Sequence, residues 1–142
     1  ELRAEASAKG LDNVVFTGRL GKTEMPAAWA SLDVCLIHLK KSPLFTTVIP
    51  SKMFEAMGME VPILMGVEGE SLGIVLEAGA GIAVEPDDPN SLLEGCRQLF
   101  NGDATTYGRA GREYVVQHFN RDVLAHEYEN ILNGQAESNR KS

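Results

Sequence analysis

Between Pro43 and Glu55 the chain reads Pro-Leu-Phe-Thr-Thr-Val-Ile-Pro-Ser-Lys-Met-Phe-Glu. Hydroxyls, a cation and a carboxylate follow one another here on the way into a predicted helix that begins at Pro50. A helix start exposes unpaired N–H groups and a partial positive charge, which suits a phosphate. Thr46, Thr47 and Ser51 add hydroxyl donors and Lys52 adds a cation. Glu55, one turn deeper, supplies a carboxylate able to accept hydrogen bonds from a ribose diol. Each residue also has a plainer use: Ser51 as a helix cap, Lys52 as a solvated first-turn residue, Glu55 as an exposed helix carboxylate. Spacing alone leaves both sets of roles open.

Other chemistries are poorly served. No GxGxxG, GxxxxGK[ST] or HExxH occurs, so the usual dinucleotide, P-loop and zinc-protease signatures are absent. His38, His118 and His126 have no metal-ligand spacing. Cys35 and Cys96 form no CxxC pair, and Cys35 lies in an apolar run, where it reads as a small core hydrophobe. A net charge of −7 argues against a nucleic-acid surface, which needs a basic face. No apolar run approaches the roughly 20 residues of a membrane span, and with no leader-like start the expected location is the cytoplasm.

The elements that must carry these residues alternate. Short continuous apolar runs at Val14–Phe16, Val34–Leu39, Ile63–Met65 and Ile82–Val84 predict about four strands buried on both faces. Between them, helical spacing marks Leu2–Gly10, Thr23–Leu32, Pro50–Met59 and a short helix around Leu72–Leu76. Asp87-Asp88-Pro89 reads as a cap with proline at the first helical position. Two more helices are expected over roughly Thr105–His118 and Asn120–Leu132. Strands alternating with helices predict a parallel sheet with helices on both faces, a three-layer Rossmann-like α/β domain over residues 1–133, with a polar tail over 134–142. In such sheets ligands bind beyond the C-terminal strand ends, which selects the loops Thr17–Lys22, His38–Ser51 and Gly66–Ser71. Four strands are few for such a domain, and Glu1 opens directly on a helix, so strands and further sequence are expected upstream.

The order of motifs resembles the C-terminal domain of retaining GT-B glycosyltransferases of family 4, which includes bacterial cell-surface polysaccharide enzymes. The resemblance runs from Leu-Asp-Asn-Val-Val-Phe-Thr-Gly-Arg (Leu11–Arg19) through Glu24–Val34, Phe54-Glu-Ala-Met and Val61-Pro-Ile-Leu. It continues through Ala80-Gly-Ile-Ala-Val, Pro86-Asp-Asp-Pro, Gly111-Arg-Glu-Tyr-Val and His118-Phe-Asn. It implies a site for a nucleotide-sugar donor. Glu55 stands where the family holds the ribose, and the segment with Thr46, Thr47, Pro50, Ser51 and Lys52 stands where it holds the diphosphate. The loop at Gly18 and Arg19 would flank the base. The Pro50-Ser51-Lys52 form resembles a branch using UDP-N-acetyl sugars. No cofactor and no metal are expected beyond the donor itself.

The chain also departs from the family pattern. Thr47 stands eight residues before Glu55, where the family usually has a second glutamate, so the contact to the transferred sugar is in question. Glu60 falls where a turn glycine is usual, and Gly73 replaces an acidic helix residue. The acceptor-binding domain, with the usual catalytic histidine, has no counterpart, so none of these residues is assigned a catalytic role. The expectation is a donor-domain fragment with negligible turnover alone, partnered by a missing N-terminal acceptor domain and self-associating through its uncovered sheet. The alternatives are a non-catalytic sugar-nucleotide-binding subunit that completes its cleft with a separate chain, and a structural α/β module that has lost its ligand.

Overall fold

A computed structural model describes residues 1–140; the last two residues of the expected tail lie outside them. The sheet has three parallel strands in the order β1-β2-β3: β1 (Cys35–His38), β2 (Ile63–Gly66) and β3 (Gly81–Ala83). Cys35 pairs with Ile63 and His38 with Gly66; Ile63 pairs with Gly81 and Met65 with Ala83. The helices are α1 (Leu2–Ala8), α2 (Met25–Ala30), α3 (Lys52–Gly58), α4 (Glu70–Glu77), α5 (Pro89–Asn101), α6 (Ala104–His118) and α7 (Arg121–Arg140). A 3-10 turn, Pro43–Thr47, lies between β1 and α3.

The fourth expected strand does not form. Val14–Phe16 has no strand partner among the described residues, and Val15 is 80% exposed. α1 holds the segment instead: Arg3 donates to the Phe16 carbonyl at 3.2 Å, and its guanidinium sits 5.4 Å from the Phe16 ring centre. A run of apolar residues becomes a strand only when its backbone pairs with an open edge, and here the segment packs on α1.

Period-two alternation distributes the sheet's side chains between two cores. Cys35, Ile37, Ile63 and Met65 face one side, where Trp29 of α2, Met53 and Met57 of α3 and Val75 of α4 pack on them. Leu64, Ile82 and Val84 face the other side, covered by Leu99 of α5 with Tyr107 of α6 beside it. β2 is buried along its whole length, while β1 alternates buried and exposed because the face that carries Leu36 and His38 is only partly covered. The helices therefore lie on both faces, as the alternation predicts.

Helix ends follow the local chemistry in some places and depart from it in others. Asp88 caps α5 through the N–H groups of Asn90 and Ser91, with Pro89 in the first turn. Asp103 caps α6, which begins at Ala104, one residue ahead of the expected start. α2 begins at Met25 after Glu24, so Thr23 is not its cap. α3 begins at Lys52, which leaves Pro50 ahead of the helix. α7 runs on past Leu132 to Arg140. α3 ends in a Schellman turn in which Val61 N–H bonds the Ala56 carbonyl and Glu60 N–H bonds that of Met57. The left-handed position of that turn is Glu60 (φ 58°) and has not moved to Gly58.

Candidate functional site

Three loops leave the C-terminal ends of β1, β2 and β3, where open α/β sheets hold ligands. The first carries most of the sequence-predicted residues. Ser42 opens the 3-10 turn by accepting from the Leu44 N–H, and Pro43 supplies a preset φ. The Thr46 hydroxyl donates to the Pro43 carbonyl at 2.8 Å and that of Thr47 to the Leu44 carbonyl at 3.5 Å. Both hydroxyl protons are therefore engaged within the turn. The turn packs on the next loop: a Cβ at Gly69 would stand 2.0 Å from the Thr46 carbonyl oxygen, and Gly69 has φ +87°, so only glycine fits there.

The entry into α3 is more open. Ser51 makes no side-chain cap bond, and Lys52 is exposed in the first turn. The Met53 N–H bonds the Pro50 carbonyl and those of Phe54 and Glu55 bond the Ser51 carbonyl. Among the described residues no intramolecular acceptor meets the N–H groups of Ser51 and Lys52. The helix start thus offers two amides, a hydroxyl and an ammonium.

Glu55 points from α3 toward α2, where its Oε2 accepts the Trp29 indole N–H at 3.1 Å. Trp29 is 6% exposed, so its ring is fixed by the core and its N–H holds the carboxylate in one orientation. Around Glu55 lies a shallow groove of about 370 Å³ bounded by Lys22, Met25, Pro26, Trp29 and Met59. Gly18, left-handed at φ 71°, and Arg19 are exposed upstream of Lys22 and are not among the groove's lining residues. A larger hollow of about 480 Å³ lies at the opposite end of the sheet, against Asp33, Val34, Pro62 and Gly102–Thr105. Those residues precede β1 and β2 or join α5 to α6, so its size does not make it the donor site.

Cys35 is buried beneath this region. Burial pushes its thiol above the usual cysteine range, with the charges of Lys52 and Glu55 acting on it in opposite directions. That agrees with a packing role. Gly73 has open space around its missing side chain, and nothing else fills the place of the acidic residue. No group of three or more potential metal ligands occurs among the described residues.

Sequence reasoning missed two features. Trp29 was visible only as part of an apolar stripe; its hydrogen bond to a residue 26 positions away has no local signal. The polar loop Lys40–Pro43 hides Lys41, whose ammonium pairs with Glu85 and stands 3.8 Å from Glu68. The Glu85 carboxylate, and then Glu68, hold that ammonium's pKa above the usual lysine range.

Comparison with known proteins agrees with this architecture. The chain is 26% identical to the O-antigen chain mannosyltransferase C of Escherichia coli over 141 residues, 97% of this chain and 37% of that protein. It is 27% identical over 127 residues to a GDP-mannose-dependent alpha-(1-6)-phosphatidylinositol monomannoside mannosyltransferase of Mycobacterium tuberculosis, covering 87% of this chain and 33% of the relative. It therefore spans about a third of the length of these curated relatives. The fold superimposes on sucrose-phosphate synthase from Thermosynechococcus elongatus with a TM-score of 0.73 at 19% identity, over 96% of this chain and 34% of the other. It also superimposes on the C-terminal domain of a glycosyl transferase group 1 family protein from Francisella tularensis, with a TM-score of 0.66 at 20% identity, over 84% of this chain and 61% of the other. The three-stranded parallel sheet and its helices match the Rossmann-like half of a GT-B fold. A family model described as Glycosyl transferases group 1 matches residues 1–102, and the chain belongs to that family.

Proposed function

We propose that this chain is the donor-binding half of a glycosyltransferase, taking a nucleoside-diphosphate sugar for transfer to a glycan or lipid-linked acceptor. The observation that carries the reading is the juxtaposition of the oriented Glu55 carboxylate in an open groove with the unengaged Ser51 and Lys52 amides one turn away. The carboxylate takes the ribose hydroxyls, the groove beside Lys22 and Met25 takes the nucleoside, and the start of α3 takes the diphosphate. Gly18 and Arg19, which do not line this groove, would meet the base only after the preceding loop moves toward it. Thr46 and Thr47 shape the loop and make no direct contact with the donor in this reading, since their hydroxyls serve the turn. UDP is the proposed nucleotide, from the resemblance of Pro50-Ser51-Lys52 to a branch using UDP-N-acetyl sugars, and the GDP-mannose dependence of the mycobacterial relative makes GDP the competing choice.

The acceptor wall and the remaining cations that stabilise a departing diphosphate are in this reading given to a second domain, so negligible transfer is expected of the 142-residue protein alone. The proposed setting is the cytoplasmic side of a membrane, with the acceptor held by a second domain in the same or another chain.

The test is a titration followed by amide and indole NMR signals. UDP, or a UDP-sugar, at millimolar concentration should move Ser51, Lys52, Glu55 and the Trp29 indole, and move them further than GDP does. Glu55→Ala should weaken the response roughly tenfold, the loss of about 1.4 kcal/mol from a charged hydrogen-bond acceptor. Signals unmoved by both nucleotides would overturn the donor-site reading, and a stronger response to GDP would reassign the base. Sugar transfer by the purified chain would refute its dependence on a second domain.

A further inference from the structure

His38 ends β1 and its ring extends sideways across the end of β2. A Cβ at Gly66 would stand 2.5 Å from the His38 Cδ2, so the glycine clears the path for the ring. On the far side the His38 Nε2 accepts the Asp87 N–H at 3.0 Å, which fixes the imidazole as the neutral Nδ1–H tautomer in this state. Asp87 is left-handed at φ 61°, and its carboxylate turns back to accept the Lys41 N–H at 2.8 Å. The Lys41 ammonium pairs with Glu85 just after β3 and lies 3.8 Å from Glu68 just after β2. Glu85 is held in turn, its N–H donating to the Ser91 hydroxyl at 2.8 Å. The three contacts between the loop after β1 and the loop after β3 join residues 44 to 49 positions apart and cross the full width of the sheet at its ligand-binding end.

We infer that His38 and Lys41 are positioning residues, which fasten the loop leading from β1 into α3 to the loop leading from β3 into α5. The functional half of this inference rests on the donor-site reading above. The loop runs from Leu39 to Ser51 and contains only the short 3-10 turn, so its few internal bonds do not fix where it lies over the sheet. The turn's packing on Gly69 fixes its middle, and backbone-to-side-chain bonds with an ion pair beside them fix the end next to β1. A cation committed to Glu85 and Glu68 neutralises carboxylates that would otherwise face an incoming diphosphate. Lys41 therefore aids the donor without touching it.

Amide hydrogen exchange of the 142-residue chain tests the fastening, with UDP affinity as the second measurement. Lys41→Met should speed exchange at positions 41 and 87 and in the 43–47 turn by roughly two- to fivefold, as the loss of an exposed pair predicts. Lys41→Arg, which keeps the cation, should restore protection. His38→Leu should speed exchange of the Asp87 amide, and His38→Gln, which keeps an acceptor at the reach of Nε2, should protect it again. UDP affinity should fall about two- to fivefold in Lys41→Met and His38→Leu and recover in the conservative variants. Unchanged exchange in both disruptive variants would overturn the fastening. Faster exchange with unchanged UDP affinity would overturn the positioning role. If the wild-type chain binds neither UDP nor GDP, the donor-site reading fails, and exchange still decides whether the loop is fastened.

Discussion

Ser71 lies in the first turn of α4 with its hydroxyl wholly buried and without a hydrogen-bond partner among the described residues. A buried hydroxyl that gives up water without a partner costs about 1–3 kcal/mol. Ser71→Ala should therefore raise stability by about 1 kcal/mol, readable as an increased denaturant midpoint at unchanged slope; a lower midpoint would mean that the hydroxyl has a partner. Asp103 is the opposite case. Hydrogen bonds from the Thr105 and Thr106 side chains, in that order, hold its carboxylate below the usual aspartate range. A depressed folded-state pKa adds stability above the unfolded-state value and loses it as pH falls through the folded-state value. Asp103→Asn should therefore melt below wild type at neutral pH and converge with it in acid. A gap that persists or widens as the pH falls through that range would contradict the linkage.

At the scale of elements, legibility followed how local the determining interactions are. β2, buried on both faces, and α5, with Asp88-Pro89 at its start, depend on residues adjacent in sequence and were readable there. Val14–Phe16 has the composition of a strand, but pairing needs an edge that its own residues do not reveal. In the candidate site, Glu55 and the α3 entry were legible from residue type and spacing. The Trp29–Glu55 bond and the His38–Asp87 contact were not, because they join positions 26 and 49 apart. The turn after α3 shows the same limit. Sequence identified Glu60 as a non-glycine at a glycine-like position, and the structure adds why the strain is kept: α6 passes so close that a Cβ at Gly108 would stand 2.0 Å from the Glu60 carbonyl oxygen. Glu60→Gly should relieve the left-handed cost and lose only an exposed pair with Arg112, a net gain of about 0.5–1 kcal/mol. Gly108→Ala should cost about 2–3 kcal/mol, because backbone and not a flexible side chain stands in the way. Thermal melts of the two variants on opposite sides of wild type are the expected result; a destabilised Glu60→Gly would show that the pair with Arg112 outweighs the strain.

For the whole molecule, the unresolved demand is the outer edge of β1. The amides of Cys35 and Leu39 bond Pro62 and Gly66 beside β2, so the intervening Leu36 and His38 direct their N–H groups to the other side, where no strand lies among the described residues. Leu36 is 48% exposed and shares its sheet face with Leu64, beneath α5, whose Leu93 and Phe100 are 49% and 68% exposed. An open edge beside exposed apolar side chains is a template for pairing. α1 does not close it, since α1 is engaged with the Val14–Phe16 segment. The proposed consequence is self-association: sedimentation of the 142-residue chain should give a dimer or larger species that dissociates on dilution, and Leu36→Lys should shift it toward monomer, since an edge lysine opposes strand addition. Nothing in β1's own packing suffers, because Leu36 is already half in solvent. A wild-type chain that stays monomeric at high concentration would sink this proposal, and the open edge would then be tolerated by the monomer in water.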